Sequence, residues 1–296
     1  IARAVTRADT GRRDASSHLR CRARAMSEPL SRRCALTLLL AMAVASMAGL
    51  LAWGPVLLAS DAHVYADDRA LGGLSNAANV LASLPLLAAA LWGIVATRAS
   101  RWGDELRGPW VAFHFCAGAA AGVAAAYHAA PGDTSFVLAH ALSAAGFVFL
   151  SLGVLAERVH PDFGSTRALL GAGLLAVLAC AIVLADAALG HGIDMRPLML
   201  LEWLPVLLIP AGALWLPGAH TRSTDWIIML VAYGIAKGFD AADSAVLSAT
   251  GWISGHGLMH LCLAAVAGWL AYCASSARSG ADAPDTRRQT SLNTSG

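Results

Sequence analysis

The sequence has 296 residues, of which 57% are apolar and only 14% are charged, and its formal net charge is +2. An average soluble domain carries about 25% charged residues, so this composition excludes an ordinary soluble globular protein. Six cysteines lie mostly inside apolar stretches with no paired spacing, which is typical of small buried side chains and not of a disulfide framework. We expect a membrane protein without a nucleic-acid partner.

Both ends of the chain differ from the rest. Residues 1–35 are rich in arginine, and we interpret them as a disordered or mis-assigned cytoplasmic leader, of which residues 1–25 precede a plausible true start at Met26. Residues 275–296 are rich in Ser, Thr, Asp and Arg and are predicted to form a disordered cytoplasmic tail. The transmembrane domain should therefore cover residues 36–274.

Eight apolar stretches between these ends are long enough to cross a bilayer, whose hydrocarbon core needs about 20 residues per helix. The connections are short, so sequential helices should be antiparallel neighbours in one bundle. The first stretch also fits a signal peptide, but at 24 residues it exceeds the ~7–15 apolar residues of such a segment, which favours a retained helix. In chain order the predicted spans are 36–59, 76–97, 109–130, 136–156, 168–190, 198–216, 226–248 and 256–274.

The arginines divide unevenly between the two sides of this predicted topology. One side holds nine arginines before the first span and nearly all of the later ones, whereas the other side holds only Arg69 and Arg196. Because loops rich in Lys and Arg stay inside, both termini are expected in the cytoplasm.

Ionisable side chains inside membrane spans are costly and indicate function. Six of them fall at one depth, near the outer side of the predicted topology. The predicted set is His128, Glu202, Asp240, Asp243, His256 and His260. Lys237 and the two aspartates repeat at i, i+3 and i+6, which is equally typical of a structural ion cluster. Among the other histidines, His114 is interpreted as a hydrogen-bonded packing residue and His63 as solvated, while His140 lies closer to the six.

His256 and His260 are spaced i, i+4, which puts both imidazoles on one helical face about 6 Å apart along the axis. Such a pair in a soluble helix is more often two surface histidines. Inside an apolar span, unpaired imidazoles are poorly tolerated, which favours a shared metal ion with His128 as a third ligand. Three protein ligands and one open position are typical of catalytic zinc, which lowers the pKa of bound water to roughly 7.

At these residues the chain resembles the bacterial branch of the alkaline ceramidases, within the seven-helix membrane hydrolases that include the adiponectin-type receptors. The resemblance runs from about Tyr65 to Ala274, so the first span precedes the family's seven helices. The predicted fold is therefore an all-α, polytopic transmembrane bundle with a seven-helix core plus one extra N-terminal helix. The matching segments are YADDRALGGLSNAANVLASLP at 65–85, AYHAAPGDTSFVLAH at 126–140, DMRPLMLLEWLPVLLIP at 194–210, AYGIAKGFDAAD at 232–243 and ISGHGLMHL at 253–261.

The resemblance implies a zinc-dependent amidase of the bacterial inner membrane that acts on a ceramide-like lipid. It implies that His128, His256 and His260 are the three zinc ligands. It also suggests a weak calcium site at Asp67 and Asn76, although two oxygen ligands are few for a hard cation.

The chain departs from the family pattern at two positions. Ala124 stands where the family has a Ser, and Ala139 stands where it has an Asp that handles the proton of the attacking water. Another group must then accept that proton, and the candidates are Asp243, Asp240 and then Glu202. The competing interpretation is a catalytically impaired lipid-binding or receptor-like relative that retains structural zinc.

Overall fold

The computed structural model describes residues 30–279, so residues 1–29 of the predicted leader and residues 280–296 of the predicted tail lie outside the described residues. Within residues 30–279 the chain folds into eight long α-helices, one short α-helix and a 3-10 helix at Pro161–Gly164, with two isolated β-bridges in the loops and no strand. The helices are α1 (Arg32–Trp53), α2 (Ala77–Arg98), α3 (Asp104–Ala129), α4 (Asp133–Arg158), α5 (Thr166–Ala188), α6 (Arg196–Trp215), α7 (Ser223–Ala241), α8 (Asp243–Thr250) and α9 (Gly255–Ser279).

Seven of the described helices are long and apolar enough to cross a membrane, namely α1 to α6 and α9. Helix α7 is less apolar because Asp225, Lys237 and Asp240 interrupt it. Large apolar side chains such as Leu40, Leu170 and Val177 are exposed on the outside of the bundle, as hydrocarbon contact requires. The predicted all-α transmembrane bundle is confirmed, and the chain is a multi-pass helical membrane protein.

Six helices form a ring in which each contacts the next, in the order α2, α3, α4, α6, α7 and α9, with α9 closing onto α2. Helix α5 packs outside this ring against α4 and α6, and α1 packs outside it against α6. The extra N-terminal helix thus lies apart from α2, α3 and α9.

The ring has two unlike ends. At the end where α2 and α4 finish, three tryptophans, Trp102, Trp110 and Trp226, pack into one apolar core. Next to them, the buried guanidinium of Arg158 donates to the carbonyls of Leu216 and Thr221 at 2.5 and 2.6 Å, which ties α4 to the α6–α7 connection. The opposite end, where α3 finishes and α9 begins, is called the site end below.

The seventh predicted span, 226–248, is wrong at its end. Helix α7 stops at Ala241, and α8 starts separately at Asp243. Both carboxylate oxygens of Asp243 accept backbone N–H groups, from His256 at 2.7 Å and from Ala66 at 2.9 Å. These two hydrogen bonds hold the chain in a turn, whereas the apolar pattern of the sequence predicts an uninterrupted helix.

Helix α9 begins in direct backbone contact with the end of α7. A Cβ atom on Gly255 would lie 2.0 Å from the carbonyl oxygen of Phe239, so no other residue fits there without displacing the helix.

The boundaries of the membrane domain also differ from the prediction. Helix α1 starts at Arg32 and ends before Gly54, which has a φ of 98° and precedes Pro55. Residues 32–35, predicted as leader, and residues 275–279, predicted as tail, are helical.

Candidate metal centre

Three histidines meet at the site end. His128 lies in the last turn of α3, while His256 and His260 lie in the first two turns of α9. Each offers one ring nitrogen, and the three nitrogens lie within 4.8 Å of one another. The Nε2 atoms of His128 and His260 are 3.1 Å apart. The structure therefore brings together the two histidines predicted from their spacing and the third predicted from its depth.

The tautomer of His256 is set by a carboxylate. Its Nδ1 lies 2.8 Å from Oδ1 of Asp240, so Nδ1 carries the proton and donates it to the aspartate. Its Nε2 is buried and has no hydrogen-bond partner among the described residues. Lys237 binds the other carboxylate oxygen of Asp240 at 3.3 Å. A carboxylate behind a histidine whose second nitrogen is free is the usual support of a metal ligand.

The donor set fits a transition-metal ion. Tetrahedral ligands that are 2.0–2.1 Å from zinc lie about 3.3 Å from one another, and the separations here run from 3.1 Å to no more than 4.8 Å. Imidazole nitrogens suit zinc and neighbouring metals. His128 and His260 are buried, whereas His256 is partly buried. A four-coordinate ion held by these three ligands would have one further position for water or substrate.

The space beside the histidines is a cavity of about 480 Å³. Its walls contain all six polar residues predicted to lie at one depth, so the three candidate bases do face the same space as the histidines. Ala124 and Ala139, the two departures from the family pattern, line the cavity as well. Because both residues are alanines, neither position supplies a carboxylate or a hydroxyl group to the cavity.

A second, apolar pocket adjoins the cavity inside the ring. The two share wall residues that include Leu86, Phe147, Tyr233 and Leu263. The apolar pocket extends toward Ile209 and Trp226, at the level of the tryptophan core. The polar cavity beside the histidines and the apolar pocket deeper in the bundle therefore share part of their walls.

The candidate bases differ in how they are engaged. Asp240 binds His256 and Lys237, and Asp243 accepts two backbone N–H groups, so both aspartates hold other parts of the site in place. Glu202 instead faces Nδ1 of His140, with its two oxygens at 3.3 and 3.4 Å.

The loop 54–76 covers the histidines. The ring of Tyr65 lies with its centroid 4.6 Å from that of His256 and 4.9 Å from that of His128. Its hydroxyl donates to the hydroxyl of Tyr127 at 2.9 Å. Burial raises the pKa of Tyr65, so this hydroxyl stays protonated at neutral pH. Sequence reasoning missed both tyrosines. Tyr65 lies in a loop and has no helical spacing that would point to the site, and Tyr127 directly precedes His128 in α3, a spacing that does not put two side chains on one helical face.

Two histidines are placed differently from their predictions. His63 is not simply solvated, since its Nδ1 contacts the hydroxyl of Tyr127 and its Nε2 contacts Asp133, both at 2.8 Å. His114 is fully buried, but neither of its ring nitrogens has a hydrogen-bond partner among the described residues. Its ring fills the space beside Gly93, where a Cβ would lie 2.2 Å away.

Asp67 and Asn76, the two candidate calcium ligands, are both hydrogen-bonded to other groups of the protein. Both oxygens of the buried Asp67 carboxylate are bound by Arg69, with Nε at 2.8 Å and Nη2 at 2.6 Å. The Asn76 side chain donates its amide to the carbonyl of His128 at 2.8 Å. The hydrogen bonds from Arg69 hold the pKa of the Asp67 carboxyl below its usual range.

Replacing Asp67 with Asn is expected to lower the Tm, because the pair ties the loop to Gly251 and Trp252 through Arg69. Because more than half of the Arg69 side chain is exposed to solvent, the contribution of the pair to stability is modest. Since the folded pKa is depressed, this contribution is present above the unfolded pKa of about 3.9 and is lost as the pH falls through the folded value. Thermal unfolding across pH 3–7 measures it.

The exposed neighbour provides the control, since Asp68→Asn should leave the Tm unchanged. Millimolar calcium should also leave the wild-type Tm unchanged. A calcium-dependent rise in Tm that Asp67→Asn abolishes would show that the cation, and not Arg69, organises this loop.

Comparison with protein-family models, with curated proteins and with solved structures found no match. The fold and the site alone define the class: a multi-pass helical membrane protein with a three-histidine group that can hold a metal ion.

Proposed function

We propose that the protein is a membrane-embedded, zinc-dependent amidase that hydrolyses the amide bond of ceramide-like N-acyl lipids. The observation that carries the proposal is the position of the histidine group. His128, His256 and His260 lie on the wall of a polar cavity that adjoins an apolar pocket inside the bundle. The resemblance of these segments to the alkaline ceramidases supports the same function.

The two spaces suit the two parts of such a substrate. The apolar pocket would hold the acyl chain, and the polar cavity would hold the amide beside the histidines. A bound zinc ion would supply Lewis-acid activation of water and of the amide carbonyl. His128, His256 and His260 would hold the ion, Asp240 would orient His256, and the Tyr65 ring would shield the histidines from bulk water.

The proposal includes a location and an orientation. The resemblance to bacterial ceramidases favours the bacterial inner membrane, and the distribution of arginines favours cytoplasmic termini. The site end then lies at the outer leaflet, where the amide of a membrane lipid sits near the headgroup boundary.

A second candidate function is favoured by Ala124 and Ala139. Both face the cavity as methyl groups where the resemblance implies a Ser and an Asp. A relative that binds lipid and keeps zinc as a structural link between α3 and α9 would have this pattern.

Zinc analysis of detergent-purified protein, paired with fatty-acid release from a panel of N-acyl lipids, separates the two. The amidase predicts about one zinc per chain and release of fatty acid from ceramides. Full zinc occupancy without release from any member of the panel would support the lipid-binding relative. Protein that binds no zinc under saturating conditions would contradict both.

A further inference from the structure

We propose that His140 and Glu202 form the proton-transfer pair of this cavity, with His140 as the acid–base catalyst and Glu202 as its positioning residue. This inference rests on the proposed amidase function and adds to it a group that exchanges the protons of the reaction.

The pair has the geometry of an oriented imidazole. His140 lies on α4 and Glu202 on α6, and both line the cavity that holds the three histidines. Nδ1 of His140 lies 3.3 and 3.4 Å from the two carboxylate oxygens. Glu202 is only 7% exposed, and a carboxylate buried to this degree requires a partner. Among the described residues, His140 is the side chain that provides it.

The other ring nitrogen of His140 is available. Its Nε2 makes no hydrogen bond to the described residues, while Nδ1 is engaged by Glu202. Phe136 packs against the ring at a centroid distance of 4.5 Å and limits its rotation. A histidine that is held by a carboxylate on one nitrogen and free on the other is the usual form of a general base.

The other two acidic side chains that line the cavity, Asp240 and Asp243, are each hydrogen-bonded to other parts of the site. Each oxygen of Asp240 is bound, one by His256 and one by Lys237. Each oxygen of Asp243 accepts a backbone N–H, so protonating either aspartate would disturb a histidine or the turn before α9. The His140–Glu202 pair is tied neither to the histidine group nor to the backbone, so it can gain and lose a proton without those costs.

The protons of amide hydrolysis balance through this pair. As the water oxygen bonds to the acyl carbon, one O–H bond of the water breaks, Nε2 of His140 takes that proton, and the π electrons of the carbonyl move onto its oxygen. As the C=O bond re-forms, the C–N bond breaks with its electron pair on nitrogen, and His140 gives the proton to that nitrogen. The products are a fatty acid and an amine, and His140 returns to its neutral form. An imidazole suits both transfers because the same ring nitrogen can accept the proton and return it.

The test uses the zinc-loaded protein and three variants, His140→Gln, His140→Ala and Glu202→Gln. His140→Gln is expected to lower kcat for a ceramide by about 10²–10⁴-fold, the usual contribution of a general acid–base group. Zinc content should stay at the wild-type level, because neither residue binds the histidine group. Added imidazole should restore part of the rate of His140→Ala, and it should not affect the wild type. His191→Ala, in an exposed loop, is the control and should behave as the wild type does.

A binding measurement accompanies the rates. Palmitic acid is the acid that the reaction releases, and when its proton lies on Nε2 of His140 the imidazole donates to the carboxylate. The Kd of palmitate, measured on the protein as purified, should rise about ten-fold in His140→Gln, since a charge-assisted hydrogen bond is lost.

The outcomes separate this inference from the function on which it rests. If zinc-loaded wild type releases fatty acid from no N-acyl lipid, the amidase function fails and this role fails with it. If the wild type is active and His140→Gln keeps more than half of kcat, only the inference fails. It also fails if the rate is lost together with zinc, or if imidazole does not rescue His140→Ala and the palmitate Kd is unchanged. Loss of rate with full zinc and rescue by imidazole supports it.

Discussion

Replacing His256 or His260 with Ala is expected to lower the zinc content of the purified protein far below that of the wild type. Each substitution deletes one of three nitrogens that converge within 4.8 Å, and the two that remain form a poor tetrahedral site. The ion would also link the end of α3 to the start of α9, so its loss should lower the Tm. A ligand at 100 times its Kd stabilises the folded state by about 2.7 kcal/mol, which sets the scale of the expected change.

Elemental analysis after dialysis against zinc-free buffer gives the metal content, and thermal unfolding with and without added zinc gives the stabilisation. In the wild type, zinc should raise the Tm, whereas in His256→Ala and His260→Ala it should not. His191→Ala serves as the control, because this exposed histidine lies outside the group of three. Wild-type zinc content in both alanine variants would show that the ion binds elsewhere.

Asp240→Asn should give an intermediate result. The amide would still reach Nδ1 of His256 but would not fix its tautomer as a carboxylate does. Loss of such a supporting partner typically lowers metal affinity by about 10–100-fold. A zinc titration of this variant therefore distinguishes a supporting role for Asp240 from a role limited to pairing with Lys237.

The sequence predicted the bundle and the histidine group for two physical reasons. An apolar run of about 20 residues indicates a membrane span regardless of which helices pack against it. The seven long apolar helices of the structure accordingly lie where the sequence predicts spans. The i, i+4 spacing of His256 and His260 fixes their common face within one helix, and depth alone brings His128 to the same end. Both features depend on local geometry, which a single sequence contains.

Three other features depend on tertiary contacts and could not be predicted. The break at Ala242 follows from the bonds that Asp243 accepts from His256 and from loop residue Ala66. The cover over the site depends on where a loop places Tyr65. The His140–Glu202 contact depends on how α4 and α6 are rotated about their axes, which neither the spacing nor the depth of the two residues determines.

Introducing an aspartate at position 139 is expected to restore hydrolysis to a protein that lacks its proton-transfer group. Ala139 lines the cavity, so a carboxylate there would face the same space as the three histidines. In the His140→Gln background, Ala139→Asp should therefore raise kcat for a ceramide at least ten-fold, a small part of the ~10²–10⁴-fold that an acid–base group supplies. Ala139→Asn is the matched control, because it has nearly the same size and cannot accept the proton.

The same substitution in the wild-type background separates the two function classes. If His140 and Glu202 already transfer the protons, Ala139→Asp should change the wild-type rate little, because a second base adds no new step. If the wild type is inactive and Ala139→Asp alone turns over ceramide, the chain is a relative whose catalysis was lost at this position, and the role assigned to His140 is wrong. If zinc is fully bound and neither background hydrolyses any N-acyl lipid with Asp at 139, the three histidines hold a structural ion. The cavity would then bind lipid without cleaving it.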